Sequence, residues 1–184
     1  NVFAQRITED MQAVAHDGHL YLSFDSAKYA AMIAPPKSDD GIDAYNRDVA
    51  VRENSGIVKL AILPGNLRYL KLTGFQWAQG VSAAVYDAAE RFLRDGDAII
   101  LDLRENGGGN SDAADYFGKT FINSNLDKSI YILVDGHVAS AAEAIAYGSQ
   151  QDHSAIVVGS TTYGAANNNK KVPIAPGFVL SVSY

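Results

Sequence analysis

From Val81 to Val158 the chain alternates between a helical and an extended period, and this alternation limits the fold more than any other feature. Val81, Val85, Ala88, Ala89, Phe92 and Leu93 recur on one helical face, so an amphipathic helix is expected over 81–94, ended by Asp95-Gly96. Ala98-Ile-Ile-Leu-Asp-Leu103 follows as an unbroken apolar run, the pattern of a parallel strand buried on both faces. A glycine-rich turn, a helix over about 111–121, a strand at 130–134, a helix at 140–150 and a strand at 155–158 continue the series. A β-α-β-α-β order of this kind predicts an α/β fold with a largely parallel central sheet.

Upstream, Phe3, Ile7, Met11 and Val14 predict a helix over 2–15, and His19 to Phe24 has strand composition. Residues 34–54 read as an exposed excursion with a short helix. Pro64-Gly65 between two β-rich runs, 56–63 and 66–73, signals a hairpin. The expected division is therefore 1–55 as a lead-in and 56–184 as the core. The chain opens at Asn1 with no leader pattern and no initiator Met. It stops inside a strand-like run, Phe178 to Tyr184, from which further residues downstream are expected.

In a sheet of this class, function gathers at the carboxyl ends of the strands. Two loops stand there. Asp102-Leu-Arg-Glu-Asn-Gly-Gly-Gly109 offers backbone N–H groups that can hold an anion or polarise a carbonyl, or it is simply a tight turn. It matches neither the P-loop nor the dinucleotide fingerprint. Asp135-Gly-His-Val-Ala-Ser140 leads into a helix, and a serine at such a junction suits a nucleophile. Ser140-Ala-Ala-Glu143 is equally a capping box, so the residues alone leave Ser140 open between cap and nucleophile. A serine nucleophile needs a base, and four histidines are available. His16 closes a helix and His153 sits in a polar turn. His137 belongs to the serine loop itself. His19 comes from a distant segment, as bases in triads do, without being singled out by that alone.

Composition removes other classes. No cysteine is present, which excludes disulfides, thiolate metal sites and a cysteine nucleophile. A formal charge of −6 with no basic run argues against nucleic acid or an anionic membrane as partner. No apolar stretch reaches the length of a transmembrane segment.

Taken in order, His16-Asp-Gly-His19, Ile100 to Asn110, Val134 to Glu143 and Val157 to Gly164 resemble the S41 family of serine peptidases. That family includes the tail-specific, C-terminal processing proteases and the tricorn core protease. The resemblance is nearest to the branch related to interphotoreceptor retinoid-binding protein. It implies a ClpP/crotonase-like spiral of β-β-α units and an exported protein, periplasmic or extracellular, that takes extended polypeptide as substrate along strand edges. Ser140 matches the nucleophile, and the N–H groups of Gly108 and Ala141 match the oxyanion hole. Processing proteases of the family use a lysine base in a Thr-Phe-Gly-Lys-Gly segment, with a glutamine four residues on. Here Ala165 stands at the lysine position and Asn169 at the glutamine position, which excludes that dyad. The tricorn-like branch uses a histidine matching His19 with a downstream glutamate, which is expected beyond Tyr184. The implied activity is a serine endopeptidase acting through an acyl-enzyme on Ser140, with His19 as general base and no metal or organic cofactor. Two alternatives stand beside it: a non-catalytic module of the same fold binding an apolar ligand or peptide, and a crotonase-like acyl-CoA enzyme. Oligomeric state is not readable from the sequence.

Overall fold

The computed structural model describes residues 1–34, 40–125, 127–167 and 169–183. They group into two compact units: Asp39–Tyr163, and Asn1–Ser38 joined with Gly164–Tyr184.

The larger unit carries the alternation. It contains α3 (Asp40–Arg52), β2 (Ile57–Leu63), β3 (Leu67–Leu72), α4 (Ser82–Leu93), β4 (Ala98–Asp102), α5 (Ser111–Phe117), β5 (Ser129–Val134), α6 (Ala141–Gln151) and β6 (Ile156–Gly159). Its five strands lie in chain order, β2-β3-β4-β5-β6. β2 and β3 form the hairpin signalled by Pro64-Gly65, and β3 to β6 run parallel. The fold is thus α/β with a mostly parallel sheet, as the alternation predicts. Helices cover β4, so nearly every side chain of Ala98–Asp102 is buried. Leu70, Leu72, Ile99, Leu101, Ile130 and Ile132 from the sheet meet Tyr86, Leu93, Phe117 and Phe121 from the covering segments. Each such side chain contributes about 1.5–3 kcal/mol by leaving water.

Where the strands end, a buried charge ties down the next loop. Asp102 is fully buried and accepts from the Tyr69 hydroxyl at 2.6 Å and from Arg104 Nε at 2.9 Å. Burial pushes the Asp102 carboxyl up, but the Arg104 and Tyr69 hydrogen bonds, aided by the Lys71 charge, outweigh it and hold it at about 2. Burial and the same bond push the Tyr69 hydroxyl up to about 12.

The smaller unit holds α1 (Val2–Ala15), β1 (Tyr21–Phe24), α2 (Ser26–Ile33), β7 (Asn169–Ala175) and β8 (Phe178–Ser183). Its antiparallel sheet runs β1-β8-β7. Thr8 Oγ1 bonds the N–H and C=O of Leu22, fixing α1 on β1, while Phe3 and Phe24 pack edge-on against Phe178. The division expected at residue 55 differs from this grouping. Pairing of β1 with β8, from opposite ends of the chain, draws residues 164–184 to the N-terminal segment. The expected short helix in 34–54 is the full α3, and residues 35–39 of that excursion lie outside the described residues. α1 has its expected limits, although Phe3 and Val14 are largely exposed.

Candidate active site

In the larger unit, β5 delivers the chain to Asp135, and a tight loop turns it into α6 at Ser140. Ser140 itself has φ 55° and ψ −125°, a conformation that costs an L side chain about 1–3 kcal/mol and is tolerated where the surroundings impose it. A sharp strand-to-helix turn with a serine in this geometry thrusts the hydroxyl out of the backbone, as a nucleophile elbow does. Both halves of the capping box are present: Ser140 N–H donates to Glu143 Oε2 at 3.0 Å, and the Ser140 hydroxyl faces the Glu143 N–H.

The glycine loop presses directly on this turn. A Cβ placed on Gly108 would lie 2.7 Å from the Ser140 Cβ, 2.8 Å from the Ala139 O and 3.0 Å from the Ala141 N, and its φ of 94° adds to the penalty. Only glycine fits. The Ala141 N–H, at the start of α6, has no protein acceptor among the described residues. Neither has the N–H of Gly109, whereas the Gly108 N–H donates to Asn106 Oδ1 at 2.9 Å. Two bridges join the loops. Ala139 N–H donates to Asn106 O at 3.0 Å, and Asp135 Oδ1 accepts from the N–H groups of Glu105 and His137 at 3.1 and 3.0 Å. Burial pushes the Asp135 carboxyl up, but these N–H bonds and the His137 charge overcome it, so its pKa lies below the ordinary value. Beside the glycine loop a cleft of 730 Å³ is lined by Arg47, Trp77, Gln79 and Asn110, among others.

The smaller unit carries His19. Its Nδ1 lies 2.5 Å from the Asn167 main-chain oxygen. A carbonyl cannot donate, so Nδ1 carries the proton and Nε2 of the neutral ring is left with its lone pair, the tautomer a base requires. Asp17 braces this arrangement by accepting from the His19 N–H at 2.8 Å and from Asn167 Nδ2 at 3.1 Å. Burial raises the Asp17 carboxyl, but the nearby Ser183 hydroxyl, the hydrogen bonds from Asn167 and the His19 N–H, and the His19 charge together hold it below its usual range.

Residues 66–128 and 118–184 match the model of peptidase family S41. This chain belongs to peptidase family S41. Among solved structures, a candidate peptidase from Parabacteroides merdae aligns with a TM-score of 0.62 and 20% identity, covering 95% of this chain and 66% of that one. A lipoprotein from Streptococcus agalactiae gives 0.55 and 13%, covering 98% and 68%. The photosystem II D1 C-terminal processing protease gives 0.52 and 21%, covering 70% of this chain and 40% of its own. These likenesses are of fold. The chain spans between two fifths and about two thirds of the length of these three proteins.

Within this S41 chain, Ser140, Ala141 and Gly108 converge inside one unit, and His19 belongs to the other. His16 is the left-handed C-cap of α1, and His153 and His137 are exposed. Ala165 is buried, Asn169 donates to Ser181 Oγ at 2.9 Å, and Lys170 and Lys171 are exposed on β7. Three residues went unnoticed in the sequence: Asn106, Asp135 and Asn167. An Asn or Asp two residues before a Gly or a turn N–H is the signal for the first two, because such side chains bond backbone two positions on. Asn167 acts through its main chain and leaves no such sign. No group of three or more metal-ligating side chains gathers among the described residues, and no described helix is long and apolar enough to cross a membrane.

Proposed function

We propose that this chain is the catalytic part of a serine endopeptidase that hydrolyses extended or unfolded polypeptide through an acyl-enzyme on Ser140. The observation that carries this is the backbone of Ser140, held at φ 55° with Gly108 packed on its Cβ. A helix cap needs neither feature, since ordinary N-caps take extended dihedrals.

His19 Nε2 takes the Ser140 Oγ proton as the oxygen adds to the substrate carbonyl. The oxyanion meets the Ala141 N–H and a donor of the glycine loop. Gly108 serves there by sharing its N–H between Asn106 Oδ1 and the oxyanion, and the unbonded Gly109 N–H is the alternative donor. As the C–N bond breaks, the protonated His19 returns the proton to the departing amine. Water then attacks the acyl-enzyme, with His19 again as base, and releases Ser140 and the new carboxylate. The Asn167 carbonyl holds the ring through both steps, the task that the resemblance gave to a downstream glutamate. Neighbouring residues of the substrate lie in the cleft beside Trp77.

The test is labelling with a fluorophosphonate followed by peptide mapping. The expected result is one adduct, on Ser140, lost in Ser140→Ala, together with hydrolysis of an unfolded protein. Trp77 is the only tryptophan, so its emission should shift when unfolded polypeptide is added to Ser140→Ala. Absence of any Ser140 adduct, with the Trp77 shift retained, would leave a peptide-binding module instead.

A further inference from the structure

Asn106 is fully buried, and every polar group it owns is engaged. Its N–H donates to the Leu103 O at 3.0 Å, and Nδ2 donates to the Leu72 O at 3.2 Å, at the end of β3. Oδ1 accepts from the Gly108 N–H at 2.9 Å, and its main-chain O accepts from the Ala139 N–H at 3.0 Å. The side chain thus joins the end of β3 to the glycine loop, and the main-chain carbonyl of the same residue holds the residue preceding Ser140. The glycine loop has a further tie, in which Phe75 bonds the Gly108 O and the Asn110 N–H. That tie holds the far side of the loop and does not reach the serine turn.

We propose that Asn106 is a positioning residue for the reaction assigned to Ser140: its carboxamide fixes the glycine loop against the end of β3 while its main-chain carbonyl holds the serine turn, and the placement of the loop sets the shape of the oxyanion pocket. This rests on the proposed hydrolase function and adds to it a residue that never touches substrate. The chemistry calls for a carboxamide specifically. Leu72 offers a carbonyl and needs a donor, while Gly108 offers an N–H and needs an acceptor. An aspartate at 106 has the same shape but, when ionised, presents two acceptors. It then sets a buried negative charge against the Leu72 carbonyl. Protonated, it recovers one donor and one acceptor and fits again.

The experiment compares the parent with Asn106→Asp and Asn106→Ala across pH 5 to 8. It measures kcat and KM on an unfolded protein, the fluorophosphonate labelling rate at Ser140, and the circular dichroism spectrum. Near neutral pH, Asn106→Asp is expected to lose about a hundredfold in kcat and in labelling rate, with KM changed less than about threefold. The ratio of its kcat to the parent's should rise as pH falls, opposite to the loss a histidine base causes in both proteins. A folded Asn106→Asp protein that labels and turns over at parental rates overturns the proposal while leaving Ser140 as nucleophile. So does a ratio that is flat with pH, because then only fold stability has been touched. If Asn106→Ala fails to fold, the aspartate variant alone decides. A parent that never labels at Ser140 removes the hydrolase function, and with it this role for Asn106.

Discussion

The serine and histidine portions of this S41 chain are ordered by different means. Around Ser140 the central restraints are buried: Asn106 has no exposed surface and Gly108 has no room for even a methyl group, and of the bonds joining the two loops only those of Asp135 face water. Around His19 the restraints face water. The ring is half-buried, and its bonds to Asn167 and Asp17 lie at the surface. Buried bonds resist competition from solvent, and breaking one partner leaves the other unsatisfied at a cost of about 1–3 kcal/mol. Exposed bonds are replaced by water at little cost. Oxyanion stabilisation requires donors fixed before the charge appears, whereas a base must pass its proton from the serine oxygen to a leaving amine within one cycle. The two portions are ordered to the degree that each task requires.

Substitutions can break or sharpen this contrast. The largest effect belongs to Ser140→Ala, which should abolish hydrolysis by several orders of magnitude while the far-ultraviolet spectrum stays unchanged. Ser140→Asp, a better cap, should be as inactive, and activity in that variant would return Ser140 to a capping role. His19→Ala comes next, with a loss of about 10³ in kcat from removing a general base. Parental turnover in His19→Ala would name another base.

Gly108→Ala should lower kcat about a hundredfold and reduce stability by about 1–3 kcal/mol, seen in urea titrations, because the methyl meets backbone atoms at φ 94°. An Asn167→Ala protein should show less than about a threefold change. The acceptor for His19 is the main-chain carbonyl, which alanine keeps, and the lost Asp17 bond is exposed. If Asn167→Ala proves as damaging as Gly108→Ala, the two portions are equally rigid and the contrast fails.

Acid stability extends the contrast to the fold. Asp102 titrates at about 2 in the folded chain and near 3.9 when unfolded, so its stabilisation is complete above the unfolded value. It should be lost as pH falls from about 4 toward 2, at a cost of ~2 kcal/mol. Urea midpoints at several pH values check this. Asp102→Asn should remove that part of the acid dependence.

Much of the larger unit was legible because burial writes itself into the sequence. Ile99, Leu101 and Leu103 are fully buried against the covering helices, which makes β4 an apolar run, and the series from α4 to β6 follows from such stretches. α2 was not legible. It buries no residue, and Tyr29, Met32 and Ile33 repeat over barely one turn, too short to mark a helical period. β7 was hidden for the same reason, with Lys170 and Lys171 facing water. The β1–β8 pairing joins residues some 160 positions apart, Tyr21 with Ser181, and nothing local announces it. At the site, Ser140 was visible as a residue but not as a geometry. Cap and nucleophile use the same Ser-x-x-Glu letters, and only the dihedral distinguishes them. Asn106 lay inside a motif noticed for its glycines, and its burial is a tertiary fact.

The dihedral of Ser140 also bears on how this chain changes over generations. Glycine would occupy φ 55° without steric cost, so Ser140→Gly should raise the unfolding midpoint even as it removes the hydroxyl. A descendant freed from the need to cleave anything would find that exchange favourable, and drift would fix it readily. On the proposed mechanism serine is the costlier letter at this position, kept for its oxygen, and glycine there would be the first mark of a lineage that had turned to other work.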